Sequence, residues 1–262
     1  MKLGVNIDHI AVLREARKIN DPNPLDALGI CKLAGAEQIT IHLREDRRHI
    51  HDMDAQNIIN TSPLPVNLEC SINSEIIDIV CDMKPYRVTL VPENRQEVTT
   101  EGGLSLTNNN EKIKKAIDKL QANDIEISLF IDPSIEAVNY SKMLNSNWVE
   151  FHTGSFANIY AMLYSNLKRT HHSIKELELS TKELKQMLEK SIKDIENSSF
   201  EANKLGLKVA AGHGLNYQNT KEILHIKEIE ELNIGQSIVA RSVFVGLYQA
   251  IIDIKQLISN NK

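Results

Sequence analysis

Eight short runs of apolar and β-branched residues recur along this chain, each separated from the next by a longer segment of helical character. They cover residues 3–7, 38–43, 66–69, 86–90, 125–131, 147–151, 207–210 and 230–234. Strands spaced this widely do not join through tight hairpins, so each must return by a crossover and pair in parallel, with helices covering the sheet. The first crossover carries helix signals at both ends. Asn23 is placed to cap a helix, with Pro24 at the first position and Asp26 in the first turn; Leu25, Leu28, Cys31 and Ala34 then repeat every three residues until Gly35 stops it. After the eighth run, Val243, Leu247, Ala250, Ile254 and Leu257 recur at spacings of four and three, which makes one face of a closing helix.

Eight such units within 262 residues predict an α/β fold, a closed (β/α)8 TIM barrel that forms one domain over residues 1–262. An open doubly wound sheet is the alternative, but no G-x-G-x-x-G follows the first run, where a dinucleotide-binding version carries it. Between about residues 166 and 199 the rhythm breaks. The stretch is polar and charged, yet Leu177, Leu184, Leu188, Ile192 and Ile195 share a helical face, so we expect a helical excursion inserted between strands six and seven, without catalytic residues. His171 and His172 within it point different ways on a helix and read as solvated surface.

The balance of 30 Lys and Arg against 35 Asp and Glu, a formal charge of -5, gives no electrostatic reason to expect nucleic acid or a membrane surface as partner. No apolar run approaches the roughly 18 residues that cross a bilayer, and the opening residues lack a signal-peptide core. Cys31, Cys70 and Cys81 are odd in number and show no C-x-x-C spacing. A cytoplasmic location is the expectation.

In such a barrel the reacting groups stand at the C-terminal ends of the strands, where the loops converge on one mouth. Polar residues collect there: Asn6, Asp8 and His9 after strand one, His42 and Arg44 after strand two, Glu69 at strand three, Glu150 and His152 at strand six, Gly212-His213-Gly214 at strand seven, Gly235-Gln236 at strand eight. Alternation sends His42 and Arg44 to the same side, and an imidazole beside a guanidinium suits an anionic substrate. His49 and His51 form an H-x-H pair, but no H-E-x-x-H helix supports a zinc site, and no metal is expected. The glycines after strands seven and eight let backbone N–H groups approach an oxyanion, and a following helix N-terminus would complete a phosphate cradle. Lys208 lies inside strand seven and not at its end, which disfavours a Schiff-base aldolase. Thr99 to Gly103 is flexible loop chemistry that could close over a ligand.

Several longer motifs carry a resemblance. Gly4-Val5-Asn6-Ile7-Asp8-His9, the run from His42 through Ile50, Asn67-Leu68-Glu69, Leu90-Val91-Pro92-Glu93, the run from Arg95 through Gly103, Ser128 through Asp132, Glu150-Phe151-His152-Thr153-Gly154, Ala211 through Leu215 and Glu231 through Gly235 together resemble the pyridoxine 5′-phosphate synthase (PdxJ) family from end to end. The resemblance implies a barrel that assembles as a homo-octamer, a tetramer of dimers. It also implies an enzyme of vitamin B6 biosynthesis that condenses 3-amino-2-oxopropyl phosphate with 1-deoxy-D-xylulose 5-phosphate, without a cofactor. His42 and Glu69 would then be proton acceptors, His213 a proton donor, and Glu150 an aid to the transition state. Asp8, His9, Arg44, His49 and Thr99 would hold the pentulose phosphate; Asn6, Arg17, Gly214, Gly235 and Gln236 would hold the amino ketone phosphate. The chain departs from the family pattern at Gln236, where a histidine often follows the last glycine. Two other readings compete: a phosphate-binding barrel lyase or isomerase acting on one substrate, and a non-catalytic ligand-binding barrel.

Overall fold

The computed structural model describes residues 1–93, 102–107 and 110–260. In chain order its elements are β1 (Lys2–Asn6), α1 (Asp8–Arg17), α2 (Ala27–Leu33), β2 (Gln38–His42), α3 (Asp52–Thr61), β3 (Val66–Cys70), α4 (Ser74–Met83), β4 (Arg87–Leu90), α5 (Asn110–Gln121), β5 (Glu126–Ile131), α6 (Ile135–Met143), β6 (Trp148–His152), α7 (Gly154–Tyr164), α8 (Thr181–Lys204), β7 (Lys208–Gly212), β8 (Ile229–Ile234), α9 (Gln236–Val245) and α10 (Leu247–Asn260). The strands close on themselves in sequence order, and β8 pairs in parallel with β1. This is the predicted (β/α)8 barrel.

Each strand sorts its side chains by parity. One set is apolar and fully buried, as in Leu3 and Val5 of β1, Ile39 and Ile41 of β2, or Val149 and Phe151 of β6, and it packs outward under the helices. The other set points into the barrel and is mostly polar. Arg87 of β4 donates to Gln38 Oε1 of β2 at 2.6 Å and pairs with Glu231 of β8, while its guanidinium lies 4.3 Å from the ring centre of Trp148 of β6. Those four even-numbered strands supply one layer of four residues, the way such barrels fill their interiors. In the next even layer Asn233 of β8 accepts from Thr40 Oγ1 of β2 at 3.2 Å and donates to Glu150 Oε2 of β6 at 2.7 Å. A Cβ at Gly4 would stand 2.1 Å from Asn233 Oδ1 and one at Gly212 would stand 2.3 Å from Glu150 Oε1, so these glycines make room for the polar layer.

The first crossover forms as its signals predict, with Asn23 Oδ1 accepting from the Leu25 N–H and Gly35 at φ +87°; residues 24–26 make a tighter 3-10 turn before α2. The excursion differs from expectation. Leu177 belongs to a separate 3-10 turn, and the long helix α8 starts only at Thr181, capped reciprocally by Ser180 and Glu183, and runs on to Lys204. It buries Leu184, Leu188 and Ile195 and lies against α7 and α6, so two helices together connect β6 to β7. The closing helix is likewise two. Gly246, at φ +78°, breaks it between Val245 and Leu247, and Val243 is left exposed on α9 while Ala250, Ile251, Ile254 and Ile258 of α10 carry the buried face.

The fit around Gly212 generates a prediction. Gly212→Ala should lower unfolding stability by about 1–3 kcal/mol through overpacking against Glu150, read in urea by the fluorescence of the single tryptophan, the buried Trp148. An unchanged midpoint would mean that Glu150 yields its position freely.

Candidate active site

A cavity of about 590 Å³ opens at the C-terminal ends of the strands. Of the residues expected at a site, Asn6, Asp8, His9, His42, Arg44, His49, Glu69, Glu150, His213, Gly214, Gly235 and Gln236 all line it. Arg17 does not: it sits in the last turn of α1, exposed and outside the cavity. Thr99 lies outside the described residues, as do the first three residues of the loop from Thr99 to Gly103; Gly102 lines the cavity. Lys208 stands at the opposite end of β7, 3.0 Å from Glu126.

On one side of the cavity His42, at the end of β2, is held from three directions. Its backbone N–H donates to Asp8 Oδ1 at 3.0 Å, Nε2 lies 3.1 Å from Glu93 Oε1, and Nδ1 faces Glu69 Oε2 at 3.9 Å. Glu93 Oε2 also accepts the Glu45 N–H at 2.9 Å. Burial works against the Glu93 charge, but those donors more than offset it and hold its carboxyl below the ordinary range. Sequence reasoning gave Glu93 no role; it lies past Pro92, where strand alternation has ended, and its partner is visible only in space. Glu69 behaves oppositely. Burial, with Glu150 and Asp8 nearby, raises its carboxyl well above the ordinary value despite Arg44. Burial likewise brings Asp8 up to about 6.

On the other side His213 follows β7 at φ +75°, between Gly212 and Gly214 at φ +83°. A non-glycine residue held there stores roughly 1–3 kcal/mol of strain. Thr153 holds the turn, its Oγ 2.8 Å and 2.7 Å from the Gly212 and His213 carbonyl oxygens. Burial, then His152 and His9, depress His213 to about 4. Its ring lies 4.9 Å from that of His152. Glu150, beneath these rings, is raised to about 7 by burial, with Arg87 and the Asn233 amide opposing and Glu231 reinforcing.

Between the two sides the backbone becomes small. Gly214, Leu215, Asn216, Gly235, Gln236 and Ser237 line the cavity, and α9 begins at Gln236 with its N-terminus toward the mouth. A Cβ at Gly235 would come within 2.8 Å of Asn6 Cβ, so only glycine lets these loops close up. Unpaired N–H groups at a helix start suit a phosphate. Gln236 offers its backbone there without a side-chain charge.

The raised Glu150 value has a stability consequence. An acid whose folded value is about 7 against an ordinary 4.5 leaves stability intact below pH 4.5 and removes it as the pH rises toward 7. Glu150→Gln keeps an acceptor for Asn233 and removes the charge, so its melting temperature should fall less steeply over that window than the wild type's. Equal slopes would contradict this.

The family model described as "Pyridoxal phosphate biosynthesis protein PdxJ" matches residues 3–260. The pyridoxine 5′-phosphate synthase of Aliarcobacter butzleri is 76% identical over 261 residues, covering 100% of both chains, and that of Wolinella succinogenes is 54% identical, covering 98% of each. Among solved structures, a 3-hexulose-6-phosphate synthase superposes with a TM-score of 0.58 over 98% of this chain and 99% of that one at 11% identity, a likeness of fold alone. With a family model and full-length relatives in agreement, the chain belongs to the PdxJ family of pyridoxal phosphate biosynthesis.

Proposed function

We propose that this chain is a pyridoxine 5′-phosphate synthase that joins 3-amino-2-oxopropyl phosphate to 1-deoxy-D-xylulose 5-phosphate, giving pyridoxine 5′-phosphate, inorganic phosphate and water. One observation carries the reading: acid/base groups with shifted proton affinities stand on two sides of a single cavity, with a small-residue phosphate cradle between them. Ring closure moves protons on and off nitrogen, carbon and oxygen at different faces of one intermediate, and needs bases and acids that change state near neutral pH.

Glu69, its carboxyl raised well above the ordinary value and 3.9 Å from His42, is a base suited to removing a proton from carbon. With Glu93 accepting a hydrogen bond from His42 Nε2, Nδ1 is the ring nitrogen that faces Glu69 and the cavity. His213 is neutral in the open cavity. A bound phosphate dianion favours its protonated form, so substrate binding charges it and prepares it to donate. Asp8, His9, Arg44 and His49 serve the pentulose phosphate, and Thr99 is assigned with them; Asn6, Gly214, Gly235 and Gln236 serve the amino ketone phosphate. Arg17 stands apart from this cavity in the single chain. A ligand-binding barrel without chemistry would have no use for the buried carboxyls.

We also propose the homo-octamer and the cytoplasm. Exposed apolar residues on α1, α9 and α10, namely Leu13, Val243, Phe244 and Tyr248, offer surface for assembly. All three cysteines are buried free thiols, and among the described residues no helix is long and apolar enough to cross a membrane.

The purified protein with both substrates should form pyridoxine 5′-phosphate, followed by absorbance, and free phosphate in equal amounts; consumption of one substrate alone would point to a lyase or isomerase. Glu69→Gln and His213→Ala should each reduce turnover by roughly 100-fold or more with little change in KM. Unchanged turnover in either removes that residue from the scheme. Arg44→Ala should instead raise KM for the pentulose phosphate, and a loss confined to saturated turnover would contradict its binding role.

A further inference from the structure

The proton carriers considered so far leave one imidazole of the cavity without a task. His152 closes β6 and is buried, and β5 pairs with β6 through Ile131 and Phe151, so the residues that follow, Asp132 and His152, come side by side. Asp132 Oδ1 lies 3.2 Å from His152 Nδ1 and also accepts the Gly103 N–H at 2.9 Å. The His152 ring and the Gly103 N–H together hold the Asp132 carboxyl below its ordinary range against the effect of burial. Phe130 packs edge-on against the same ring at 5.2 Å. The ring is thus fixed in orientation by a carboxylate on one edge and an aromatic on one face.

Its other nitrogen is kept clear. A Cβ at position 154 would stand 2.4 Å from His152 Nε2 and 3.1 Å from His213 Cδ2, and Gly154 supplies none. His152 lines the cavity together with His213 and Phe130. A carboxylate on Nδ1 selects the tautomer that carries its proton there and leaves the lone pair on Nε2.

We infer that His152, oriented by Asp132, is a further proton-transfer group of this reaction, moving a proton from nitrogen to oxygen when the amine of one substrate condenses with the ketone of the other. The inference rests on the function proposed above. As the C–N bond forms, the carbonyl electron pair moves to oxygen, and the proton shed by the new ammonium passes to Nε2. The imidazolium, facing the Asp132 carboxylate, returns that proton to the oxygen to make the hydroxyl, and the neutral ring then carries the second N–H proton across to the hydroxyl in the same way. That oxygen leaves as water with its C–O electron pair, the nitrogen lone pair completes the C=N bond, and the ring ends as it began. His152 is the group that transfers the proton; Asp132 is a positioning residue. The titratable groups that face this ring are Asp132, His213 with His9 behind it, and Glu150 two residues earlier on the same strand.

The test uses the intact enzyme, with folding checked by circular dichroism. His152→Ala should lower kcat by roughly 100-fold or more, with both KM values within about threefold of wild type, and added imidazole should restore part of the loss. Asp132→Asn keeps an acceptor and removes the charge. Its kcat should fall by about tenfold, and the acidic limb of its kcat profile should move to lower pH, because a ring without a carboxylate behind it stays neutral further into acid. Asp132 is the more exposed partner, so this variant reports even where removing the ring disturbs folding. Turnover of a folded His152→Ala within about threefold of wild type, or an Asp132→Asn limb at the wild-type pH, overturns the inference. A wild type that forms no pyridoxine 5′-phosphate in the same buffers overturns the function first and takes the inference with it; an active wild type beside an unaffected His152→Ala overturns the inference alone.

Discussion

The mouth of this barrel is held in place by the hydrogen bonds that fill its inside. A closed ring of eight strands must pack its interior with side chains, and here that interior is polar, so every group taken from water needs a partner within the barrel. Arg87 meets Glu231 and Gln38; Gln38 and Thr40 both donate to Asn233 Oδ1; the Asn233 side-chain amide then donates to Glu150. The carboxyl that faces the cavity is therefore the last member of a chain anchored deeper in the barrel. Removing any earlier member strands a buried donor or acceptor and frees the next one to move.

Environment divides the carboxyls into two kinds. Asp8, Glu69 and Glu150 hold protons more tightly than usual, all three chiefly through burial, and Glu69 also through the charges of the other two. Glu93 and Asp132 each lie against an imidazole and a backbone N–H and stay charged. The first kind is set up to hold a proton and the second to hold a ring in orientation. Identical functional groups acquire different work from their surroundings.

Much of this was legible in the residues alone. Eight βα repeats, the polar ends of six strands and the paired glycine loops lie in sequence, because strand alternation places neighbouring polar residues on one side. Other features are not local. A glycine at φ +78° turns α9 away from α10 without disturbing the four-and-three spacing, so Val243 shares a period with a face it never joins. Leu177 keeps helical spacing with Leu184 across the break at Ser180, and only the capping box shows where the helix begins. Glu93 and Asp132 stand beside prolines beyond strand ends, and each gains its role from a ring on another strand. The family resemblance assigns Arg17 to substrate, yet its place on α1 takes it away from the cavity of the single chain.

The seam between β1 and β8 joins the earliest strand to the latest. During synthesis, therefore, seven strands exist before the eighth can seal them, and Lys2 to Val5 wait with one row of backbone donors and acceptors open. On the β2 side of β1 the Glu37 carboxylate accepts the Leu3 N–H from the turn before β2, and Lys255 of α10 reaches the same carboxylate only once the chain has come round. A ring has no edges when finished, but a chain made from one end must carry two until its last strand arrives.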